Sequence, residues 1–363
     1  MNRYFTIIFF LVFIKSSKVH AQDTIEPVKK STYNFKPQDY IEDMSSLINV
    51  SPFMYQTKSD FTVSGRKNIR YSPNDGNNIG IKLQHRWLGI AISYSPGKLQ
   101  EAQKGTTDVT HIILNSYGKK IGFDVYYLNY KGYYLQNYKD LPYFKNTIMG
   151  NIFPQRSDMH TTNAGLNVYY IFNNKKFSIR APFANNDWQK KSAGSFILTS
   201  SLNYYNLSAD STLVYARVDT NAEELTRIKK GDFYSVSFMP GYAYTYVISK
   251  HVFITLAPSV GLVYQYQHYY TETNNLVESF ELIPRAMIRG AVGYAGRRYF
   301  FGVTSVADMY NIPIARSYKL TYEIGNITLY AGIRLGVPKY LQKFSSFLNK
   351  CNPSNISVLL KVN

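Results

Sequence analysis

The sequence predicts an all-β chain: an antiparallel up-and-down transmembrane β-barrel of about 12–14 strands, with short helical segments at both ends. Three observations predict it. The chain starts like an exported protein, its middle alternates apolar and polar residues with a period of two, and its connections sort into short and long. The composition agrees. There are 34 Tyr and 22 Phe with a charged fraction of only 18%, and rings and β-branched residues suit a pleated surface. So many rings exclude a disordered chain, and a helical bundle would be richer in Ala, Leu and Glu.

Residues 1–21 read as a signal peptide. Arg3 supplies a positive start, 5–14 are apolar apart from Thr6, and Val19-His20-Ala21 resembles a small-residue cleavage site. The run is shorter than the ~20 residues a helix needs to cross a bilayer. Residues 22–56 form a periplasmic N-terminal segment, in which Ile41, Met44, Leu47 and Ile48 predict one short amphipathic helix. Cys351 is the only cysteine, so no intrachain disulfide holds the fold.

The barrel is expected over 57–336, with clear two-residue alternation from about Phe61. Leu88, Ile90, Ile92 and Tyr94 share one face; so do Ile121, Phe123, Val125 and Tyr127, then Leu166, Val168, Tyr170 and Phe172, and later Ile254, Leu256, Val260 and Leu262. Short turns fall near Arg86-Trp87, Gly118-Lys119, Asn173-Asn174, Ser249-Lys250, Gly296-Arg297 and Gly325-Asn326. Long polar connections fall at 96–107, 131–160, 184–192, 209–230, 268–281 and 308–316. Outer-membrane barrels sort their loops this way. One conflict stands: Asn173 and Ser249 both read as periplasmic, yet the strand-like segments 176–183, 194–206 and 233–247 lie between them. The tail 337–363 carries Tyr340, Phe344 and Leu348 at helical spacing.

The alternation places Lys82, Gln84, Asp124, Asn167, Arg180, Arg285, Arg289, Lys319, Glu323 and Arg334 inside. On the lipid side an Arg or Lys would cost about 2–4 kcal/mol at mid-membrane. Two readings follow: a plugged lumen, where arginines pair with acids and Tyr hydroxyls, or a cationic lining selective for anions. The plugged lumen is preferred, because side chains and loops can fill such a barrel. Tyr126, Tyr127, Tyr130, Tyr133 and Tyr134, and likewise Tyr264, Tyr266, Tyr269 and Tyr270, read as girdle or loop-base rings.

The net charge of +18 points to outer-membrane lipid or lipopolysaccharide, to an anionic small solute, or to solvated loops. No nucleic-acid motif is visible. A lipase-like barrel is the alternative, and a soluble periplasmic β-protein a third reading. Ser195 is the candidate nucleophile, but it lacks an obvious base, and no G-x-S-x-G occurs. Asp158 and His160 are two ligands where a metal site needs three or four. No catalytic residue, metal or cofactor is expected.

Residues 176–195 read KFSIRAPFANNDWQKKSAGS. With Tyr71-Ser72-Pro73-Asn74, Tyr126-Tyr127 and Lys131-Gly132-Tyr133-Tyr134, they resemble the Bacteroidota family catalogued as domain of unknown function 4421, over most of the chain past the signal. The resemblance implies an outer-membrane protein and transfers no catalytic residue. It places Phe177, Ser178, Arg180, Ala181, Gln189, Lys191, Ser192, Gly194 and Ser195 around one hairpin and its loop. That loop is expected either to fold into the lumen, anchored by Arg180 and Lys191, or to form a ligand site at the mouth.

Overall fold

An amide chain that buries one face in apolar surroundings must pair all its backbone groups, and a sheet without edges does this completely. The computed structural model describes residues 39–65, 67–94, 101–145, 152–213, 227–315 and 318–350. Its strands are β1 (Ile41–Asp43), β2 (Ile48–Ser64), β3 (Ile69–Ser72), β4 (Asn78–His85), β5 (Leu88–Tyr94), β6 (Asp108–Tyr117), β7 (Ile121–Leu135), β8 (Gln155–Ile171), β9 (Asp187–Gln189), β10 (Ala193–Ser208), β11 (Ile228–Val247), β12 (Val252–Thr271), β13 (Leu276–Ala295), β14 (Tyr299–Ala315) and β15 (Tyr318–Leu335). Three helices, α1 (Pro142–Lys145), α2 (Arg180–Ala184) and α3 (Gln342–Lys350), interrupt or follow them. No described helix is long and apolar enough to cross a membrane.

Thirteen strands form one sheet. It closes where β15 pairs antiparallel with β2, from Lys319↔Ser64 to Leu335↔Ile48. The short β3 only bridges β2 and β7 at the rim, so twelve strands make the closed wall. β1 and β9 form a separate pair. Ile48 and Leu335 meet at one end, here the near end; the other is the far end.

The parity conflict is resolved by this topology. β8 ends at Ile171 and β10 begins at Ala193, both at the near end. Residues 176–183 are not a wall strand; they belong to a long connection carrying α2 and β9. Only β10 and β11 then separate Asn173 from Ser249, as the parity requires. Two further expectations are corrected. Gly325-Asn326 is no turn but lies within β15, opposite Val306 and Ala307. The connections expected at 268–281 and 308–316 are mostly strand, since β12 runs to Thr271, β13 starts at Leu276 and β14 continues to Ala315. Polar pairs such as His268↔Glu278 made these strand ends look like loops.

The helix expected at Ile41–Ile48 is also overturned. Ile41–Asp43 pairs with Asp187–Gln189, Met44 and Leu47 pack with Trp188 and Phe253, and the barrel begins at Ile48, before the expected boundary at 57. The spacing was set by that docking and not by helical turns. The expected C-terminal helix is α3; its Ser345 and Leu348 dock on the β4–β5 turn, through His85 Nε2 (2.8 Å to Ser345 Oγ) and Trp87 Nε1, which donates to the Leu348 carbonyl at 2.6 Å. The signal segment lies outside the described residues.

The far half of the interior is a packed apolar core, with Phe61, Tyr130, Tyr205, Phe233, Leu320 and Tyr322 among its buried members. The tyrosine clusters therefore split. Tyr127 and Tyr264 face out, while Tyr130, Tyr133, Tyr134 and Tyr269 are buried. Their hydroxyls find partners: Tyr269 donates to the Ile314 carbonyl at 2.8 Å, and Tyr133 bonds Thr161 Oγ1 at 2.6 Å.

Candidate functional site: a polar chamber above an inserted segment

The connection between β8 and β10 folds inward across the near mouth. Its base is pinned by Ser195, whose Oγ accepts the Asn173 amide at 2.8 Å and donates to the Phe196 carbonyl at 2.7 Å. Ser195 is thus engaged with backbone, and no histidine bonds it among the described residues. Within the segment, Arg180 grips Asp187 by Nε (2.9 Å) and Nη2, and the Ser178 hydroxyl donates to the same carboxylate. Arg180, Ser178 and Asp187 are all buried. Gln189 closes the loop: its Oε1 accepts the Ser178 amide at 2.9 Å, and its Nε2 donates to the Lys176 carbonyl at 2.6 Å.

The wall holds this segment from several sides. Lys82 Nζ donates to the Phe183 carbonyl (3.2 Å), while Asn49 Nδ2 and Arg334 Nη2 both donate to the Asn185 carbonyl (3.0 Å each). Trp188 Nε1 donates to the Lys250 carbonyl at 2.6 Å. Asn185 sits at φ 58°, a left-handed conformation that Asn tolerates better than most residues.

Asp43 ties the N-terminal strand to this assembly, 3.4 Å from Arg180 and 2.9 Å from Lys119. Burial alone would raise its carboxyl; the Arg180 charge and hydrogen bonds from Ser45 and Lys119 outweigh that and hold it well below the usual carboxylate range. A group with a depressed folded pKa contributes stability above its unfolded value that is lost on acidification. The expected result is that β1–β9 amides keep their hydrogen-exchange protection at neutral pH and lose it only below about pH 4, the ordinary carboxylate value. Asp43→Asn should remove this pH dependence; an unchanged profile in the variant would refute the assignment.

Between the inserted segment and the apolar core lies a chamber of about 260 Å³. Lys82, His111, Asp124, Asn167, Arg289 and Tyr330 line it, and Phe183 and Asn185 form its floor. Asp124 accepts hydrogen bonds from Arg289, from the Tyr117 and Tyr169 hydroxyls, and from Asn115 Nδ2 at 2.7 Å. Arg285 pairs with Asp308 and donates to Ser237 Oγ at 3.1 Å. Buried charges persist only when paired and hydrogen-bonded, and these are.

The structure brings together Lys82, Asp124, Arg289 and, just beyond them, Arg180, Arg285 and Arg334. It does not place Lys319 or Glu323 inside. Leu320 and Tyr322 take the inward positions of β15, and Glu323 instead pairs with Lys58 on the outer face toward the far end. Lys319 lies at the strand end, opposite Ser64, where the penalty that argued for an inward position is small, and the charge of Glu323 is answered by Lys58. Lys191 is exposed and rests over the Tyr40 ring at 5.5 Å. Among the described residues no three metal-ligating groups cluster; Asp158 is held by Arg156, and His160 faces Asn129. His111, which the sequence did not single out, bonds Tyr55 through Nδ1 (2.9 Å) and Tyr130 through Nε2 (2.8 Å). Its inward place in the alternation of β6 was the available signal.

The two motif groups lie at opposite ends of the barrel. Residues 176–192 lie in the inserted segment and 193–195 open β10. Asn74 and Gly132 meet at the far rim through Thr107, whose Oγ1 accepts the Asn74 amide and donates to the Gly132 carbonyl, each at 2.8 Å. Gly132 has φ 94° at a β-bulge, and a Cβ there would lie 2.4 Å from the Thr106 carbonyl. A family model matches residues 31–334. The chain belongs to the family described as Domain of unknown function (DUF4421). In this family member both motif groups close an end of the barrel. No curated protein matches the sequence. Among solved structures, the outer membrane protease OmpT from Escherichia coli is 8% identical, with 82% of this chain and 98% of that chain covered at a TM-score of 0.36. The beta domain of the Bordetella autotransporter BrkA is 11% identical, with 80% and 100% covered at 0.34. Ail of Yersinia pestis is 10% identical, with 80% and 99% covered at 0.20. No residue role is carried over from them.

Proposed function

We propose that this DUF4421 member is an outer-membrane barrel that acts without catalysis and conducts no steady current, its lumen closed by its own segment and core. One observation carries the membrane reading: the outer face is apolar in a band of the right height. On β13 the outward positions run Phe280, Leu282, Ile288, Val292 and Tyr294, and on β11 Tyr234, Val236, Phe238, Tyr242 and Tyr246; most are exposed. From Leu282 to Val292, at about 3.3 Å per residue and about 40° tilt, the band is roughly 25 Å high, the height of the apolar belt of such barrels. Rings stand at both ends of it, as interfacial rings do. On α3, exposed Phe344 and Phe347 would sit in the near interface, with lipid or lipopolysaccharide as the surrounding partner. A soluble β-protein would leave this belt in water.

The anion-selective path is less well supported. Arg180, Arg285 and Arg289 are each paired with a carboxylate, so the arginine excess is spent on closure. Purified full-length protein in planar bilayers is expected to give no steady conductance, and to sediment with outer membranes until detergent is added. A stable anion-selective current, or recovery in the soluble fraction, would overturn the proposal.

A further inference from the structure

Among the described residues the wall has a gap beside the chamber. β5 pairs with β4 along its whole length, from His85↔Leu88 to Ile79↔Tyr94. With β6 it pairs only at Leu88, Gly89 and Ile90. Beyond Ile90 both faces of β5 are exposed, the inward Ala91 and Ser93 included. Ile92 is 75% exposed. In a closed wall an inward side chain at this level would be covered, so the chamber opens sideways between β5 and β6. On the inside, the Tyr55 hydroxyl spans the gap, bonding Ser93 at 3.2 Å and His111 at 2.9 Å.

On the outer face an apolar groove of about 1460 Å³ runs from β5 over β4, β2 and β15, lined by Met54, Ile79, Ile81, Ile90, Ile92 and Leu329, among others, so β5 separates it from the gap. Phe53, Ser93 and Tyr330 border both the groove and the chamber, so the two spaces adjoin. At the polar end Arg289 pairs with Asp124 and Asp308 with Arg285, which among the described residues leaves Lys82 as the cation without a carboxylate. Lys82 stands directly across the β4–β5 ladder from Ala91. Its ammonium donates to the Phe183 carbonyl and has no carboxylate within ion-pair distance among the described residues. Three N–H groups on this part-buried ammonium can take more acceptors than one carbonyl.

We propose that a single-chain anionic amphiphile from the surrounding bilayer binds here, its head group at Lys82 and its acyl chain passing through the β5–β6 gap and across β5 into the groove. The inference rests on the membrane reading above. The chamber volume is below the usual range for a whole small-molecule site, roughly 300–1,000 Å³, which suits a head group with the chain lying outside. The charge complementarity selects an anion over a cation.

The test uses purified full-length protein in uncharged detergent and palmitate carrying a diazirine at its chain end. Cross-linked peptides are read by mass spectrometry. Label is expected on β4, β5 and the groove strands β14 and β15. It should fall about tenfold or more in Lys82→Met, the loss of one charge-assisted hydrogen bond, and also in Ser93→Trp, which fills the gap from the inward position opposite Gly80, one step along the ladder from Lys82. A trimethylammonium probe of the same chain should label weakly, and inorganic phosphate should not compete. Uniform label around the belt, equal labelling by the cationic probe, or labelling unchanged in both folded variants would overturn the site. Competition by inorganic phosphate would replace it with a soluble-anion site. Folding of each variant is read from heat-modifiable gel migration. A barrel that fractionates with membranes yet takes no label refutes this site alone, whereas a chain that never joins the membrane refutes the reading beneath it.

Discussion

Replacing Arg180 with alanine should destabilise the barrel by about 3–5 kcal/mol, the penalty for leaving a buried charge without its partner. The stranded group is Asp187, 2% exposed, which among the described residues would retain the Ser178 hydroxyl as its side-chain donor. Asp43 would lose one of its two cations and keep Lys119, so β1 should loosen with the segment. The measurement is the temperature at which the folded form stops migrating ahead of the unfolded form on gels. Arg180→Ala combined with Asp187→Ala should recover part of the loss, because the orphaned charge is then gone. An unchanged transition in Arg180→Ala would mean that the segment is not held in this way.

A second large effect is expected at Arg289. Its guanidinium meets Asp124 and Tyr169, and lies 4.4 Å from the Tyr169 ring centroid. Arg289→Ala leaves Asp124 with hydroxyl and amide donors but no cation, again at a cost of about 3–5 kcal/mol. Urea titration of the refolded protein in lipid vesicles should show the midpoint shift. Lys319→Ala, on the outer face, should shift it far less. If the two variants behaved alike, the inward assignment of Arg289 would fail.

These residues show what the sequence made legible. Alternation located the wall, and the cost of a charge in lipid correctly sent Arg285, Arg289 and Arg334 inward. The same argument failed for Lys319, which lies at a strand end opposite Ser64, and for Glu323, whose charge is paired with Lys58 on the outer face. Alternation cannot say where along a strand the membrane stops. It also could not separate residues 176–183 from a wall strand, because a segment folded inside a barrel is buried like the wall around it. What distinguishes them is pairing between Asp187–Gln189 and Ile41–Asp43, across more than a hundred residues, and no local pattern records that. The chamber was legible residue by residue but not as a space, since its floor comes from the inserted segment. The β5–β6 gap was not legible at all: the alternation of Ile90, Ile92 and Tyr94 is that of a paired strand.

Ring closure has a kinetic consequence. The wall is sealed by β2 against β15, the first and last strands of the sheet, as in Ile48↔Leu335. Hairpins between successive strands can form as soon as their partners exist, but this seal joins residues separated by most of the chain, and loop-closure entropy makes such contacts late. The segment between β8 and β10 is already tethered at both ends by then, and β1 must reach it from the strand that closes last. Assembly is therefore ordered: the curled sheet gathers its contents while one side is open, and the final pairing locks them in. A chain lacking β15 would keep every internal hairpin and still have no inside.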